Sequence, residues 1–401
     1  MRRRRVKITG IGPVTPAGIG LQDFAVGILT EESRAAGIFR FREDAGAFIG
    51  AEVADFSINR YTRDPVSRRT PRHTQFALAA AQLALADAKI DVSSLVHSKL
   101  ILNIGTALMD FGTINKSVDL ILRKGPVNGL PTSITSASVG SIACQISEFL
   151  HLKNVSTMAF QSTCCSGLDA IGHGVYAIQN GEADIAICGG TEAPLFFHPM
   201  LELKMAGLSP ANPFSPRAQC RPFDLWRTTG VIGEGACMLV LERDCSPRPA
   251  YAYIDGYASA SDSAGELCSG LQKAINGCLE NASILPREVE AISAWGPGHQ
   301  EIDRLEAQVL SKVFGKDLSA IPAYSIKGCI GNPLGAAGAI QTGAVACCIH
   351  DEILPPTVNW EYRDPDCNLS LSNQVRRISY QNCLVNSHGL SGSNACLLIS
   401  Q

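Results

Sequence analysis

Short apolar runs and amphipathic segments alternate along almost the whole chain of 401 residues. Runs that are rich in Val, Ile, Leu and Cys and are bounded by Gly, Pro or polar residues predict buried strands. They cover residues 6–11, 100–105, 157–161, 185–190, 237–242, 253–259, 291–295, 323–325, 383–386 and 395–399. Apolar positions at helical spacing predict helices over 74–88, 142–152, 168–180, 265–281, 301–314 and 335–350. This alternation predicts an α/β fold with mostly parallel sheets and helices on their faces.

The predicted elements fall into two comparable sets. A stretch that carries Pro and Ser, residues 243–249, lies between them. It is the best candidate for a boundary, either as a free linker or as a tightly packed connection. We therefore predict an N-terminal half over 1–245 and a C-terminal half over 246–401, a length that suits two halves sharing a large core.

Composition excludes several classes of protein. Hydrophobic residues make up 46% and charged residues 18%, with 37 glycines, which suits a buried α/β enzyme rather than a disordered or fibrous chain. The net charge of −3 gives no general attraction to nucleic acid. The basic start, Arg2 to Arg5, precedes an alternating run that ends at Gly and Pro, so it predicts a solvated strand start rather than a signal peptide. No stretch approaches the roughly 18 apolar residues of a membrane span, and we predict a cytoplasmic protein.

The chain has 15 cysteines but no C-x-x-C motif, and the two close pairs are adjacent residues. That spacing suits neither zinc ligation nor an easy disulfide, so no metal site is predicted. Most of the cysteines, such as Cys144, Cys188, Cys237 and Cys396, lie in apolar strands or helices. There we expect them to act as small hydrophobic side chains.

The segment 161–172 carries the strongest candidate chemistry. It reads Q-S-T-C-C-S-G-L-D-A-I-G, with small residues around a cysteine just before a predicted helix. Unpaired N–H groups and the positive end of the helix dipole favour a thiolate, which predicts a lowered thiol pKa. Backbone N–H groups at such a turn can also stabilise a tetrahedral oxyanion. Taken alone, the segment also fits two buried structural cysteines in a tight turn.

This segment resembles the nucleophile elbow of the β-ketoacyl-acyl carrier protein synthases, T-A-C-(A/S)-(S/T)-G-x-D-A-I. In that register Cys164 is the nucleophile and Cys165 is its small neighbour. Further blocks resemble the family's in the same order, and together they cover nearly the whole chain. They lie at 5–18 (R-V-V-I-T-G-x-G-x-V-T-P-x-G), 189–193 (G-G-x-E-A), 221–224 (R-P-F-D), 233–236 (G-E-G-A), 354–359 (I-P-P-T-x-N) and 386–395 (N-S-F-G-F-G-G-T-N-A).

The resemblance implies a thiolase-type five-layer αβαβα sandwich made of two similar halves. It implies a dimer that pairs through the strand at 157–161, with a homodimer and a heterodimer both open. It also implies acyl carrier protein as the partner. The phosphopantetheine arm of that carrier, or coenzyme A, would bring the substrate, with no other cofactor.

The chain departs from the family at both histidines that follow the cysteine. The family's first block, H-G-T-x-T-x-x-x-D-x-x-E, begins with a histidine, and Trp295 takes that position in the block 295–306. The second block, K-x-x-x-G-H-x-x-G-A-A-G, also contains a histidine, and Asn332 takes that position in the block 327–338. Asparagine can still donate an N–H to a thioester oxygen, whereas Trp295 offers only an indole N–H and cannot transfer a proton at neutral pH. We therefore expect the two replacements to slow decarboxylation more than they slow acylation.

Three further positions bear on the reaction. By the resemblance, the backbone N–H groups of Cys164 and Leu390 form the oxyanion hole. Leu390 stands where the family has a gatekeeper Phe, and His388 replaces a second Phe, which predicts unusual gating and acyl-chain fit. His299, four residues after Trp295, is either a displaced acid/base or a channel-lining or surface histidine, and we favour the second interpretation.

Lys327, Asp303 and Glu306 match family positions. We expect them to form a polar network that holds the loops of the active site. For Asp303, a plain surface charge is the alternative.

Four functions remain open at this point. The favoured one is an acyltransferase that accepts an acyl group on Cys164, with ordinary malonyl decarboxylation impaired. The second is a non-catalytic subunit like a chain-length factor, although such subunits usually lack the cysteine. The third is a scaffold or acyl-binding relic, against which the retained Cys164 and Gly167 argue. The fourth is a true decarboxylating ketosynthase that uses His299 as a relocated histidine.

Overall fold

The computed structural model describes residues 4–38, 48–62, 64–67, 69–211 and 214–401. Part of the predicted solvated start, Arg2 and Arg3, lies outside these residues. Within them, Arg5 is exposed and pairs with Asp255, with 3.0 Å between Nε and Oδ1. Every residue of the strand that follows is buried.

The strands are β1 (Val6–Thr15), β2 (Gly18–Ile19), β3 (Ala36–Ile38), β4 (Phe48–Ala51), β5 (Leu100–Gly105), β6 (Val155–Phe160), β7 (Ile185–Glu192), β8 (Ile232–Gly233), β9 (Gly235–Arg243), β10 (Ala252–Ser261), β11 (Ala291–Ser293), β12 (Ala323–Tyr324), β13 (Ile353–Leu354), β14 (Arg376–Arg377), β15 (Asn382–His388) and β16 (Ser393–Ser400).

The helices are α1 (Leu21–Gly27), α2 (Arg72–Asp87), α3 (Phe111–Lys124), α4 (Thr132–Ala137), α5 (Gly140–Phe149), α6 (Ser166–Asn180), α7 (Phe197–Met205), α8 (Ser269–Ala282), α9 (Gln300–Phe314), α10 (Lys327–Ile330) and α11 (Ala337–Cys348).

The two halves repeat one strand order. The first half runs β6-β5-β7-β9-β1 and the second runs β12-β11-β15-β16-β10, and β1 pairs with β10 antiparallel to join them. In each half four strands run in one direction, and one strand, β9 or β16, runs against them. The strands of each half are therefore mostly parallel in direction, as predicted, but each sheet is mixed because it includes one antiparallel strand. Strands β15 and β16 show the reason: their short connection allows only an antiparallel hairpin, since parallel strands need a longer crossover.

The helices form three layers around these strands. Helices α2 and α5 contribute to a core on the outer face of the first half. Helices α8 and α9 do the same on the outer face of the second half. Between the halves, α6 and α11 share a central core with strands of both. The five-layer αβαβα sandwich of two similar halves that the sequence predicts is thus confirmed.

The connection between the halves is bound to the first strand. The Lys7 ammonium donates to the carbonyl oxygens of Ser246 (2.9 Å) and Arg248 (2.6 Å). The Arg248 guanidinium also pairs with Glu242 at 2.7 Å. The connection is therefore a packed one rather than a free linker, and the division after residue 245 stays a prediction.

A close approach between β1 and α2 generates a stability prediction. A Cβ added at Gly12 would lie 1.9 Å from the carbonyl oxygen of Ala80. Overpacking of this kind typically lowers stability by about 1–3 kcal/mol, so Gly12→Ala should lower the urea midpoint of unfolding. The matched control is Gly140→Ala, because the nearest atom to its added Cβ is a Ser138 hydroxyl at 3.7 Å. Equal midpoints for the two variants would contradict the packing described here.

Candidate active site

Cys164 lies in a sharp turn between a strand and a helix. Strand β6 ends at Phe160, a single helical turn covers Thr163–Cys165, and α6 begins at Ser166. Thr163 has a φ of 51°, which is unusual for a β-branched residue and marks a strained backbone. Its hydroxyl lies 2.9 Å from the Ser393 hydroxyl, which fixes the turn to β16. This is the geometry of a nucleophile elbow.

Small residues let other segments close over the turn. A Cβ added at Gly167 would lie 2.8 Å from the carbonyl oxygen of Gly335. A Cβ added at Gly389 would lie 1.9 Å from the Thr163 hydroxyl oxygen. Cys164 is consequently only 7% exposed.

One narrow cavity brings together most of the residues that the sequence predicts for the site. Its volume is about 20 Å³, which is room for about one water molecule. Its walls include Cys164, Trp295, His299, Asn332, His388 and Leu390, with an apolar part from Leu208, Val231, Ile232, Ile302 and Leu334. An acyl group therefore has to displace side chains to enter, and Leu390 at 48% exposure is the most accessible of those named.

Asn332 lines this cavity and has an unpartnered amide oxygen. Its backbone N–H donates to the carbonyl oxygen of Val231 at 2.7 Å, and its carbonyl oxygen accepts from Gly233 at 2.9 Å. Within the described part of the chain, its buried side-chain Oδ1 has no hydrogen-bond partner. The backbone is thus fixed while the amide remains available to a bound molecule.

Trp295 fills the other histidine position and is only 2% exposed. The Lys327 ammonium lies 3.8 Å from the centre of the indole ring, a cation–π contact. The same ammonium donates to the Trp295 carbonyl oxygen at 2.6 Å and to Gln341 Oε1 at 3.0 Å. Lys327 therefore holds Trp295 from behind rather than lining the cavity itself.

Two buried carboxylates hold the loop that follows Trp295. Glu306 accepts the N–H groups of Trp295 and Gly296, both at 2.8 Å. Asp303 accepts the N–H groups of Phe223 at 2.7 Å and Gly298 at 3.2 Å. Asp303 is fully buried, so the alternative of a plain surface charge is wrong.

Burial shifts the pKa values of this polar network. It raises the pKa of Asp303 to about 7, and backbone N–H donors oppose the shift. It lowers the pKa of Lys327 to about 7, against the attraction of the Glu306 charge. Burial therefore disfavours the charged forms of both groups.

His299 caps the start of α9. Its Nδ1 accepts the N–H groups of Glu301 at 3.2 Å and Ile302 at 3.4 Å. The neutral ring therefore carries its proton on Nε2, and burial lowers its pKa. The ring lines both the cavity and an outer groove beside Arg227. This placement fits the channel-lining alternative, and an acid/base role for His299 stays a prediction.

Burial corrects the expected reactivity of Cys164. It raises the pKa of the thiol to about 12, and the Glu192 charge raises it further. Lys327 and the residue's own backbone N–H lower it by less. The prediction of a lowered pKa is therefore wrong for this resting structure. The loss of solvation raises the pKa of the thiol more than the start of the helix lowers it.

The other cysteines correct a second expectation. Cys165 is fully buried and its Sγ lies 3.3 Å from the Ser393 carbonyl oxygen, so it faces into the fold. Cys144, expected in the apolar interior, is exposed on α5, and Cys245 is exposed as well. Cys164 is therefore not the most accessible thiol of the chain.

The sequence pattern predicts no role for Glu192, which lies in the G-G-x-E-A block. The Glu192 carboxylate accepts the N–H groups of Ala107 (2.7 Å), Gly335 (3.1 Å) and Leu108 (3.3 Å). It therefore ties the segment after β5 to the loop before α11 beside the elbow. Burial raises its pKa to about 7.

The described residues form neither a membrane span nor a metal site. Across the ranges that the structure describes, no helix is both long and apolar enough to cross a membrane. In the same ranges, no group of three or more His, Cys, Asp or Glu side chains is arranged to hold a metal ion.

Comparison with known proteins identifies the family. Residues 3–245 match the model of the beta-ketoacyl synthase N-terminal domain, and residues 251–361 match that of the C-terminal domain. The chain belongs to the β-ketoacyl synthase family. This family acts in fatty-acid and polyketide biosynthesis, which confirms the resemblance drawn from the sequence.

Relatives match over the full length. A 3-oxoacyl-[acyl-carrier-protein] synthase 2 of Coxiella burnetii is 31% identical and covers 100% of this chain and 99% of its own. The structure of the ishigamide ketosynthase/chain length factor has a TM-score of 0.93 at 29% identity and covers 100% and 99% of the two chains. A type II polyketide synthase ketosynthase, solved in complex with its acyl-carrier protein, has a TM-score of 0.91 at 28% identity and covers 100% of both.

The burial of Cys164 predicts the order of cysteine labelling. Brief treatment with iodoacetamide should label Cys245 before Cys164, because Cys245 is exposed whereas Cys164 is buried and protonated. Peptide mass mapping measures the order, and the variant Cys245→Ser should lose the fast label at that position while the exposed Cys144 keeps its own. Labelling of Cys164 ahead of Cys245 would contradict the burial described here.

The raised pKa of Glu192 predicts a pH-dependent stability. The pKa rises from 4.5 to about 7 on folding, so its contribution to stability is full below pH 4.5 and is lost as the pH rises through about 7. The urea midpoint of unfolding should therefore be lower at about pH 8 than at about pH 5 in the wild type. This difference should be smaller in Glu192→Gln. The exposed control Glu31→Gln should keep the wild-type difference. An undiminished fall in Glu192→Gln would overturn the assignment.

Proposed function

We propose that the chain is an acyltransferase of the β-ketoacyl synthase type. In this proposal Cys164 takes an acyl group from acyl carrier protein or acyl-CoA and passes it to an acceptor. One observation supports it above the others: a single cavity joins the intact elbow of Cys164 to Asn332, whose amide oxygen is unpartnered, with Trp295 in place of an imidazole.

The site supplies groups for the acylation step. The thiol would attack the thioester carbonyl, and the carrier's thiol would leave. The Asn332 amide can donate to the thioester oxygen. The backbone N–H groups of Cys164 and Leu390 would complete the oxyanion hole, as the resemblance implies.

Ordinary malonyl decarboxylation would be impaired. It requires a donor that stabilises an enolate as carbon dioxide leaves, and removal of one such donor typically lowers the rate by ~10²–10³. Trp295 offers only an indole N–H. The nearby Lys327 ammonium is committed to the Trp295 carbonyl oxygen and to Gln341, so it does not replace a histidine in the cavity.

We further propose acyl carrier protein as the partner, together with a homodimer or a heterodimer with another ketosynthase. Strand β6 is the last strand at one end of the large sheet, which leaves one of its edges open for pairing. Met158 on this strand is 50% exposed. The solved relatives include a ketosynthase with its acyl-carrier protein.

A second candidate function is a partner subunit like a chain-length factor. The observation that favours it is the TM-score of 0.93 with the ishigamide ketosynthase/chain length factor. The retained elbow and Cys164 favour the acyltransferase instead.

The two functions differ in whether a thioester forms on Cys164. Wild-type protein incubated with acyl carrier protein that carries an acyl group should gain the mass of that group, and Cys164→Ala should not. After addition of malonyl carrier protein, wild type should release little carbon dioxide. Trp295→His combined with Asn332→His should release more, because both imidazoles are restored.

Each contrary result has a clear meaning. If wild type releases carbon dioxide and condenses efficiently, the proposed impairment is wrong. If wild type never acquires a thioester while a ketosynthase partner does, the partner-subunit function replaces the acyltransferase.

A further inference from the structure

His388 is a second histidine in the wall of the cavity that holds Cys164. It ends β15 and is only 2% exposed. The residue before it, Ser387, donates its hydroxyl to the Cys164 carbonyl oxygen at 3.0 Å. The backbone that carries His388 is therefore tied directly to the elbow.

Asn394 fixes the orientation and the tautomer of this ring. The Asn394 amide nitrogen faces three acceptors: Asp262 Oδ1 at 2.7 Å, the Ala260 carbonyl oxygen at 3.2 Å and the Gly392 carbonyl oxygen at 3.3 Å. The amide oxygen must therefore face His388 Nδ1, which lies 2.7 Å away. Because an amide oxygen only accepts, Nδ1 carries the proton of the neutral ring.

The other ring nitrogen is left with a free lone pair. His388 Nε2 is buried and has no hydrogen-bond partner in the part of the chain that the structure describes. Such an atom normally has a partner in a folded protein, so its isolation calls for an explanation. The cavity that His388 shares with Cys164 is only about one water molecule in size. His388 and Cys164 both line this cavity, so the unpartnered Nε2 is a candidate partner for the thiol or for a water between them.

We propose that His388 is the general base of acyl transfer at Cys164, held in its active tautomer by Asn394 and Asp262. This inference rests on the proposed acyltransferase function and adds a residue to it. Thiol, imidazole and amide follow each other in the same order as in papain-like cysteine proteases.

The proton balance of the two half-reactions is as follows. In the first, the Cys164 S–H proton moves to His388 Nε2 as the S–C bond forms, and the departing carrier thiol takes that proton as its C–S bond breaks. In the second, a hydroxyl, amine or water acceptor gives its proton to Nε2 as it attacks the acyl carbon. Cys164 then leaves and recovers that proton.

This arrangement suits a protic acceptor better than a carbanion. A neutral imidazole with an unpartnered Nε2 accepts a proton, whereas an enolate oxygen needs a donor. His299 has the opposite tautomer, because its Nδ1 accepts from α9. Of these two histidines in the cavity wall, His388 is the one arranged as a base.

The test uses two readouts on the full-length protein: the rate of thioester formation from an acyl-CoA, and the rate of Cys164 alkylation by iodoacetamide. His388→Ala should slow thioester formation by ~10²–10⁴-fold, the usual contribution of a general base, and should slow alkylation as well. Added imidazole should restore part of both rates in His388→Ala. A structural role alone would not respond to imidazole. His97→Ala, at an exposed histidine, is the matched control and should keep both wild-type rates.

Asn394→Leu gives a second variant in which His388 is present but Nδ1 has lost its acceptor. Both rates should fall, and imidazole should not restore them. Wild-type rates in His388→Ala, or loss without rescue by imidazole, would overturn the role of His388. If wild type forms no thioester but its alkylation still depends on His388 and is rescued, the base is supported and the acyltransferase function fails.

Discussion

The site depends on one steric constraint, the close packing of the cysteine elbow between the two halves. The turn tolerates no added atoms at Gly167 or Gly389, because each faces another segment within van der Waals distance. This packing strains Thr163 and leaves Cys164 almost without solvent. A buried thiol is a poor nucleophile at rest, so the surrounding groups determine its chemistry.

Because the elbow is buried, the polar groups behind it have to be paired within the protein. Carboxylates such as Glu192 and Glu306 satisfy backbone N–H groups of loops that meet at the site. Removing these anchors would leave buried donors unpaired, which is costly in a low-dielectric interior. The same network places Trp295 in the cavity and holds Lys327 behind it. The network therefore holds an indole at the position where the family has an imidazole.

The sequence predicted the central strands and helices, since their patterns are local. It missed α3 and α7, and Ile121 and Leu122 of α3 are exposed rather than facing a core. It found the elbow from a continuous motif. It could not find the raised pKa of Cys164, because burial there depends on segments far away in sequence, such as the one around Gly335. The role of His388 was hidden for the same reason: its orientation depends on Asn394 and, through it, on Asp262.

The central claim is that acyl transfer at this site begins from a buried, protonated thiol. Thiolate absorbs in the ultraviolet, so a difference titration of wild type against Cys164→Ser isolates this one group from the other cysteines. From around pH 6 to around pH 9, a range that includes the ordinary pKa of a free cysteine, the difference spectrum should show no thiolate band. A band with a midpoint near or below neutral pH would show a thiolate at rest and would contradict the account.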